Sequence, residues 1–353
     1  MVLNTFSDPY LELASWIGLA ALLLTLSLFL VIVYLRLRLR KNVRQETLFI
    51  TLWRPLLIEA VSDENLQALP ELAPRDQLLF LKLWNYLQES LRGSASDRLN
   101  EVARRLHCDV AARKLLKKGN RAERLLAILT LGHLRDQASW DELKCQAAEA
   151  DPLASIHAAR ALIKIDPLLG TQWLFPLLLK RRDWDITQIA NFLGEAQKAF
   201  WLQLIKNIHK VDQQDWARAL QLADAIHLQL PLNTLLFVIR TCKSADTLVA
   251  ALHLASDSQL LPVVRTYLDH PQWQVRVEVA RFLSHFGDVD DVLSLQKLLH
   301  DEQWWVRYQA AQSLASIPFY GYAQLQALRA ATTEALAIDM MDHVLAEHRQ
   351  AMN

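Results

Sequence analysis

The chain has 353 residues, enough for one elongated domain or two compact ones. Its 38 basic and 38 acidic residues give a formal net charge of zero. A protein that binds nucleic acid broadly usually needs a basic surface to displace counterions, so this balance argues against nucleic acid as a partner. Hydrophobic residues make up 52% of the chain, which is high for a soluble domain.

Much of this apolar content lies in residues 13–35, which contain no charged residue. A helix rises about 1.5 Å per residue, so the segment is long enough for the roughly 30 Å hydrocarbon core of a bilayer. Trp16 and Tyr34 lie near its two ends, where interfacial rings are common. Residues 1–12 contain two acidic residues and no basic one, unlike the start of a signal peptide. We therefore predict a transmembrane helix over residues 13–35, preceded by a short periplasmic N-terminus.

Basic residues follow this segment directly and set its expected orientation. Lys and Arg are retained on the cytoplasmic side of a membrane, so we expect a single-pass inner-membrane protein with its N-terminus outside. The remaining chain would lie in the cytoplasm, and the three widely spaced cysteines suit free thiols in a reducing compartment. We expect the lipid bilayer surface to be contacted by Arg36, Arg38, Arg40, Lys41 and Arg44.

Residues 36–118 form a basic juxtamembrane and helical region. Between residues 49 and 60, apolar side chains recur on one helical face that includes Trp53. This face either lies along the membrane surface, with Trp53 at the interface, or packs against the helices that follow. Amphipathic spacing predicts a second helix over residues 76–91 and one or two more over residues 97–118.

From residue 119 onward the chain shows an internal repeat. Residues 272–276 (QWQVR) align with residues 303–307 (QWWVR) at an offset of 31 residues. Earlier copies are weaker, with Ser155 and Thr187 at the position of the arginine. A period of this length suits two short antiparallel helices, which bury their apolar faces only by stacking on neighbours. We therefore predict an all-α solenoid over residues 119–353, in which the arginine bridges to an acidic turn residue of a neighbouring repeat.

Two segments resemble known families. The pattern Val-Arg-x-x-Ala-Ala-x-x-Leu at residues 306–314 resembles the HEAT repeat, including the short HEAT-like repeats first named from phycobilisome lyases. Residues 83–93 (LWNYLQESLRG) resemble a segment of bacterial membrane-anchored HEAT-repeat proteins, whose genes lie beside family 2 glycosyltransferases for exopolysaccharides. These resemblances imply an α-solenoid scaffold, with a membrane-associated protein such as a glycosyltransferase as its partner.

The sequence offers no defensible catalytic constellation. It contains no P-loop, no GxSxG, no HExxH and no CxxC. His343 and His348 are five residues apart, about 140° around a helix, whereas a two-ligand metal site needs both imidazoles on one face. We expect no enzymatic activity, no cofactor and no metal. Two alternatives stay open: a HEAT-like enzyme of the chromophore-lyase type, and a structural factor that assembles an integral-membrane partner.

Tryptophan is unusually frequent, with 11 residues, several of them where a repeat enters its second helix. These rings either pack between repeats or present an aromatic surface to a partner, since Trp and Arg are favoured interface anchors. Adjacent helical residues cannot both face one narrow stripe, so one of Trp304 and Trp305 should face solvent or a partner. The candidate partner-binding residues are Trp273, Arg276, Trp304, Trp305 and Arg307.

Overall fold

A computed structural model of the chain describes residues 9–62 and 69–352. Within these ranges all regular secondary structure is helical, which confirms the predicted all-α class. The chain divides into two compact units, Met1–Leu134 and Arg135–Asn353. Residues 1–8 of the predicted N-terminal segment lie outside the described residues. The helices of the first unit are α1 (Pro9–Ser62), α2 (Gln77–Ser90), α3 (Ser94–Arg105), α4 (Cys108–Lys118) and α5 (Arg121–Leu134).

Helix α1 is a single element of 54 residues, roughly 80 Å long. Its portion Trp16–Val61 is long and apolar enough to cross a membrane, and the most apolar window within it is entirely unburied. From residue 13 to residue 48, every side chain that the structure describes is exposed. The predicted span, the basic residues and the first core residues of the unit therefore lie on one continuous helix.

The core of the first unit begins on the last turns of α1. Trp53 is only 3% exposed, and its ring centroid lies 5.7 Å from that of Phe49 and 5.1 Å from that of Phe80. Leu57 and Ala60 continue the same buried face, which packs against α2 and α3. In the structure this face packs against other helices, and Trp53, which was expected at the membrane surface, lies in the core instead. The ring is buried because two later helices cover it.

Helix α2 is fixed by polar contacts as well as by packing. The indole Nε1 of Trp84 donates to the carbonyl of Leu99 at 2.9 Å. The amide of Asn85 donates to Thr130 Oγ1 of α5 at 2.8 Å, and the amide of Gln88 donates to Asn100 Oδ1 at 2.8 Å. Helix α5, which the prediction placed in the solenoid from residue 119, packs against α2 and α4 within the first unit.

The second unit is built of stacked helices. Helices two apart in the chain lie side by side in a solenoid-like arrangement, shown by the contacts of α11 with α13, α13 with α15, α15 with α17 and α17 with α19. The helices are α6 (Trp140–Ala148), α7 (Pro152–Ile165), α8 (Pro167–Lys180), α9 (Ile186–Leu193), α10 (Gln197–Asn207), α11 (Gln213–Ala225), α12 (Leu232–Thr241), α13 (Ala245–His253), α14 (Leu261–Val264), α15 (Trp273–Phe286), α16 (Asp291–Leu298), α17 (Trp304–Ser316), α18 (Gly321–Ala331) and α19 (Ala335–Met352).

Small side chains allow these helices to approach closely. Ala280 of α15 and both Ala310 and Ala311 of α17 are completely buried. At the same contact, the hydroxyl of Ser313 donates to the carbonyl of Ala280 at 2.7 Å. An apolar stripe with a small-residue centre thus sets the spacing between neighbouring repeats.

An arginine links α15 to the following repeat, as predicted. Nε and Nη2 of Arg276 donate to the two carboxylate oxygens of Asp301 at 2.6 and 2.8 Å. Nη1 donates to the carbonyl of His270 at 2.7 Å, in the turn that precedes α15. Burial is the largest single effect and raises the pKa of Asp301. The hydrogen bonds from Arg276 and from the backbone N–H of Gln303, together with the charges of Arg276 and Arg307, hold the pKa below its ordinary value. The contact therefore joins two repeats through one guanidinium.

The next repeat preserves half of this arrangement. Arg307, 31 residues after Arg276, donates through Nη1 to the carbonyls of Asp301 and Glu302 at 2.7 and 3.0 Å. The residue that corresponds to Asp301 one repeat later is Thr332, which carries no carboxylate. The buried Nε of Arg307 has no hydrogen-bond partner among the described residues. The bridge between repeats therefore ends at α17.

An earlier repeat reverses the polarity of the contact. Ser155 stands where the arginine is expected, and its hydroxyl accepts from Nη2 of Arg181 and from Nε1 of Trp184, both at 3.0 Å. The donor here comes from the following turn and the acceptor lies on the helix. Trp184 is 1% exposed and packs between repeats.

Arg218 of α11 makes the most extensive contact of this kind. Its guanidinium donates to the carbonyls of Leu178, Arg181 and Trp184, each at 2.7 Å. Arg218 is 5% exposed, and burial lowers the pKa of its guanidinium. A single side chain thus satisfies three backbone acceptors near the end of α8.

We expect Arg218→Ala to lower the free energy of unfolding of the full-length protein by about 3 kcal/mol or more, because three backbone acceptors lose their donor. Urea unfolding in detergent micelles, followed by circular dichroism, measures this change. The matched control is Lys297→Ala, which removes a 2.8 Å ion pair whose two side chains are 72% and 78% exposed. That control should cost about 1 kcal/mol or less. Equal losses in both variants would contradict the structural role of Arg218.

We expect Asp301→Asn to lower the free energy of unfolding at pH 7, and we expect this loss to be smaller in acid. Because the folded pKa of Asp301 lies below its unfolded value of about 3.9, its contribution is present above about pH 4 and is lost as the pH falls through the folded pKa. The urea midpoints of wild type and variant should therefore converge between pH 7 and pH 3. Asp269→Asn, at an exposed ion pair, is the control. A gap that stays constant with pH would contradict the assigned pKa direction.

Candidate protein-interaction surface

The structure separates the five predicted partner-binding residues into two groups. Arg276 and Arg307 are engaged in the turns between repeats, and their side chains are largely covered. Trp273 is half-buried at the start of α15. Trp304 and Trp305 are 42% and 56% exposed, so both rings reach the surface. The sequence predicted that one of this pair faces outward, and in the structure both do.

Trp304, Trp305, Tyr308 and His343 form what we call the aromatic cluster. The rings of Trp304 and Tyr308 are stacked, with centroids 5.1 Å apart and planes at 7°. Trp305 stands perpendicular to Trp304, at 4.6 Å and 89°. His343 of α19 lies 6.0 Å from Tyr308 and 6.4 Å from Trp304. The spacing of one and four residues along α17 places the first three rings together, and the stacking of α19 on α17 adds the fourth.

Hydrogen bonds hold the base of the aromatic cluster. The carboxylate of Glu347 accepts from the hydroxyl of Tyr308 at 3.0 Å and from Nε2 of Gln312 at 2.8 Å. Its other oxygen lies 3.2 Å from Nε2 of His343. Burial raises the pKa of Tyr308, and the neighbouring carboxylate raises it further, so the phenol remains a donor at neutral pH. Glu347 therefore links Tyr308 and Gln312 of α17 to His343 of α19.

A polar cleft adjoins the aromatic cluster. It has a volume of about 390 Å³ and lies between α15 and α17, with Tyr308 and Gln312 in its wall. Ser284 and His285 of α15 line the opposite side. The surface thus combines exposed indole rings with hydroxyl and amide groups that can bond to a partner's backbone, the combination that protein interfaces favour.

Sequence reasoning missed Tyr308, Gln312 and Glu347 as members of this surface. Trp304, Tyr308 and Gln312 follow one another at intervals of four residues. This spacing places them on one face of a helix, so the sequence could have predicted that Tyr308 and Gln312 lie beside Trp304. Glu347 lies 39 residues after Tyr308 and reaches it only because α19 stacks on α17. No spacing rule within one helix could have assigned it.

The described residues hold no group of three or more His, Cys, Asp or Glu side chains placed to bind a metal ion. The thiol of Cys108 is buried, and burial raises its pKa to about 12, so it stays protonated at neutral pH. The aromatic cluster contains no nucleophile paired with a base. Its geometry suits recognition by stacking and hydrogen bonding.

Comparison with known proteins finds a match over the part of this surface that lies on α17. Residues 243–315 match the family model for HEAT repeats, and all five predicted partner-binding residues fall in that segment. No curated protein matches the chain. HEAT repeats are generally a non-enzymatic scaffold fold that commonly mediates protein–protein interaction. The match and the stacked helices of the second unit together support a HEAT-repeat protein.

Proposed function

We propose that the chain is a membrane-anchored scaffold that binds a protein partner through the aromatic cluster on α17 and α19. The observation that carries this proposal is the exposure of two adjacent indole rings, Trp304 and Trp305, the first of which stacks on Tyr308. Large aromatic side chains bury extensive area at little cost in conformational entropy, and Trp is enriched among residues that dominate binding energy. Glu347 fixes Tyr308 and thereby lowers the entropy lost on binding.

We further propose that residues 13–35 of α1 span the inner membrane, with both units on its cytoplasmic side. Residues 36, 38, 40, 41 and 44 are basic and exposed, and they follow the apolar segment on the same helix. Such residues are retained in the cytoplasm and attract anionic head groups. Residues 36–134 carry 18 basic and 11 acidic side chains, whereas residues 135–353 carry 20 and 25. This asymmetry supports a basic first unit next to an anionic membrane surface.

The partner that the resemblance of residues 83–93 implies is a membrane glycosyltransferase of an exopolysaccharide synthase. Within this segment, Trp84, Asn85 and Gln88 are buried and bonded inside the first unit. Tyr86 is 64% exposed and lines a groove of about 330 Å³ between α2 and α1. Anchoring the scaffold confines it to the surface where such a partner works and raises their effective concentration.

Affinity purification from gently solubilised native membranes, followed by mass spectrometry, tests this function. We expect a stoichiometric membrane protein to co-purify with the wild type. The double variant Trp304→Ala/Trp305→Ala should reduce its recovery at least tenfold, since loss of an aromatic anchor typically costs about 2 kcal/mol or more. Recovery of a family 2 glycosyltransferase would also identify the pathway.

Two controls make the experiment decisive. Leu293→Ala changes an apolar side chain of α16 that is 72% exposed and lies outside the aromatic cluster, so recovery should not change. Exchange of residues 13–35 for an unrelated apolar helix should also preserve recovery, whereas loss would favour an assembly factor that acts through the span. If the double variant is folded and recovers the partner normally, the aromatic cluster is not the interface.

The proposed orientation predicts that no native thiol is accessible from outside the membrane, because all three cysteines lie in the two cytoplasmic units. Cys145 of the second unit is exposed, whereas Cys108 is buried with a pKa of about 12. In intact spheroplasts, a membrane-impermeant maleimide should leave Cys145 unmodified and should label it after permeabilisation. Asn4→Cys, in the N-terminal segment, should react in intact spheroplasts. The opposite pattern would show that the second unit lies outside.

A further inference from the structure

A cleft of about 380 Å³ lies between α8, α10 and the turn that leads into α11. Its size falls within the range typical of small-molecule sites. It lies on different helices from the aromatic cluster, and the scaffold function proposed above makes no use of it. Its lining combines amines, amides and an apolar wall in one concave surface.

Three lysines line this cleft: Lys180 at the end of α8, Lys206 of α10 and Lys210 in the turn after α10. All three are exposed, and within the described residues none of them forms an ion pair or a side-chain hydrogen bond. Lys206 and Lys210 line the same cleft, so their like charges repel each other. A bound anion would relieve that repulsion, so the cleft favours a negatively charged occupant.

The acidic residues of the lining do not cancel this charge. Asp215 is buried and already accepts a hydrogen bond from Nη2 of Arg182 at 2.8 Å. Asp212 is the remaining carboxylate against three amines. Lys side chains bind phosphate groups as point charges.

The wall of the cleft is apolar and includes Pro176 and Leu179, with Phe175 beneath. Pro176 lies inside α8 and has no N–H, so the carbonyl of Gln172, four residues earlier, lacks its regular helical donor. Gln172 also lines the cleft. The lining therefore offers an exposed apolar contact at Pro176, together with a backbone acceptor that lacks its regular helical donor.

Amides complete the lining on the side of α10. The Nδ2 group of Asn207 donates to the backbone and side-chain oxygens of Gln203 at 2.8 and 3.1 Å. This arrangement occupies the acceptor of the Gln203 amide and leaves its Nε2 group as a donor. The cleft thus presents donors, an acceptor and positive charge around an apolar wall.

We propose that this cleft binds a small molecule that carries phosphate groups on a flat ring with hydrogen-bond donors, the chemistry of a nucleotide. The lysines would hold the phosphates, and the ring would lie against Pro176, on the side of the cleft that carries Gln172. Such a ligand would make the solenoid a sensor of a soluble metabolite as well as a binding surface.

Isothermal titration of the full-length protein in detergent micelles with ADP, GDP and UDP tests this site. We expect at least one nucleotide to bind at a single site, with inorganic pyrophosphate and the matching nucleoside each binding more weakly. Lys206→Ala/Lys210→Ala should reduce the affinity at least tenfold. Lys198→Ala removes an exposed lysine of the same helix outside the cleft and should leave the affinity unchanged.

Failure of all three nucleotides to bind at millimolar concentration would overturn the proposal, and so would an affinity that the double variant leaves unchanged. Melting curves of each variant establish that it is folded, and removal of two repelling charges should not lower the melting temperature. A hexaglutamate peptide tests the alternative anionic occupant, an acidic protein segment. If that peptide binds in a lysine-dependent way and the nucleotides do not, the cleft is a docking site for an acidic segment.

Discussion

The second unit depends on arginines that satisfy backbone carbonyls in the turns between repeats. A pair of short helices cannot bury its own apolar face, so repeats must stack, and stacking brings helix ends with unpaired carbonyls toward the interior. Arg218, Arg276 and Arg307 each donate to carbonyls of such turns. Where Ser155 replaces the arginine, Arg181 supplies the donor from the opposite side. The same chemistry therefore recurs at α7, α11, α15 and α17, although the residue that supplies the donor changes.

This constraint decides which side chains remain for a partner. Arg276 and Arg307 resembled interface residues in the sequence because they stand beside tryptophans, but their donors are engaged by Asp301 and by turn carbonyls. The adjacent indoles are left at the surface, since the arginine and the small residues of α17 already fill its inner face. The aromatic cluster is therefore a consequence of the packing that builds the repeat. It lies on α17, the helix of Arg307. The residue that corresponds to Asp301 in the next repeat is Thr332, so Arg307 has no carboxylate there to bind.

Periodicity predicted what depends on neighbours in sequence, and it did not predict what depends on contacts between distant helices. The all-α class, the helix over α2 and the bridge between Arg276 and Asp301 follow from spacings of 3.6 and 31 residues. The amphipathic face that carries Trp53 was compatible with a membrane surface and with packing against other helices. Its burial follows only from the contacts with α2 and α3. Tyr308 and Glu347 are 39 residues apart, and only the stacking of α19 joins them.

The continuity of α1 has a mechanical consequence for any function at a membrane. Between the end of the apolar segment at Leu35 and the first buried residue, Phe49, the helix continues without a break over about 21 Å. A flexible linker would let the first unit sample many orientations, whereas a helix packed into the core through Trp53 and Leu57 does not. If residues 13–35 cross the bilayer, a tilt of the span must therefore also tilt the first unit. A partner that changes the tilt of the span would act on the first unit directly.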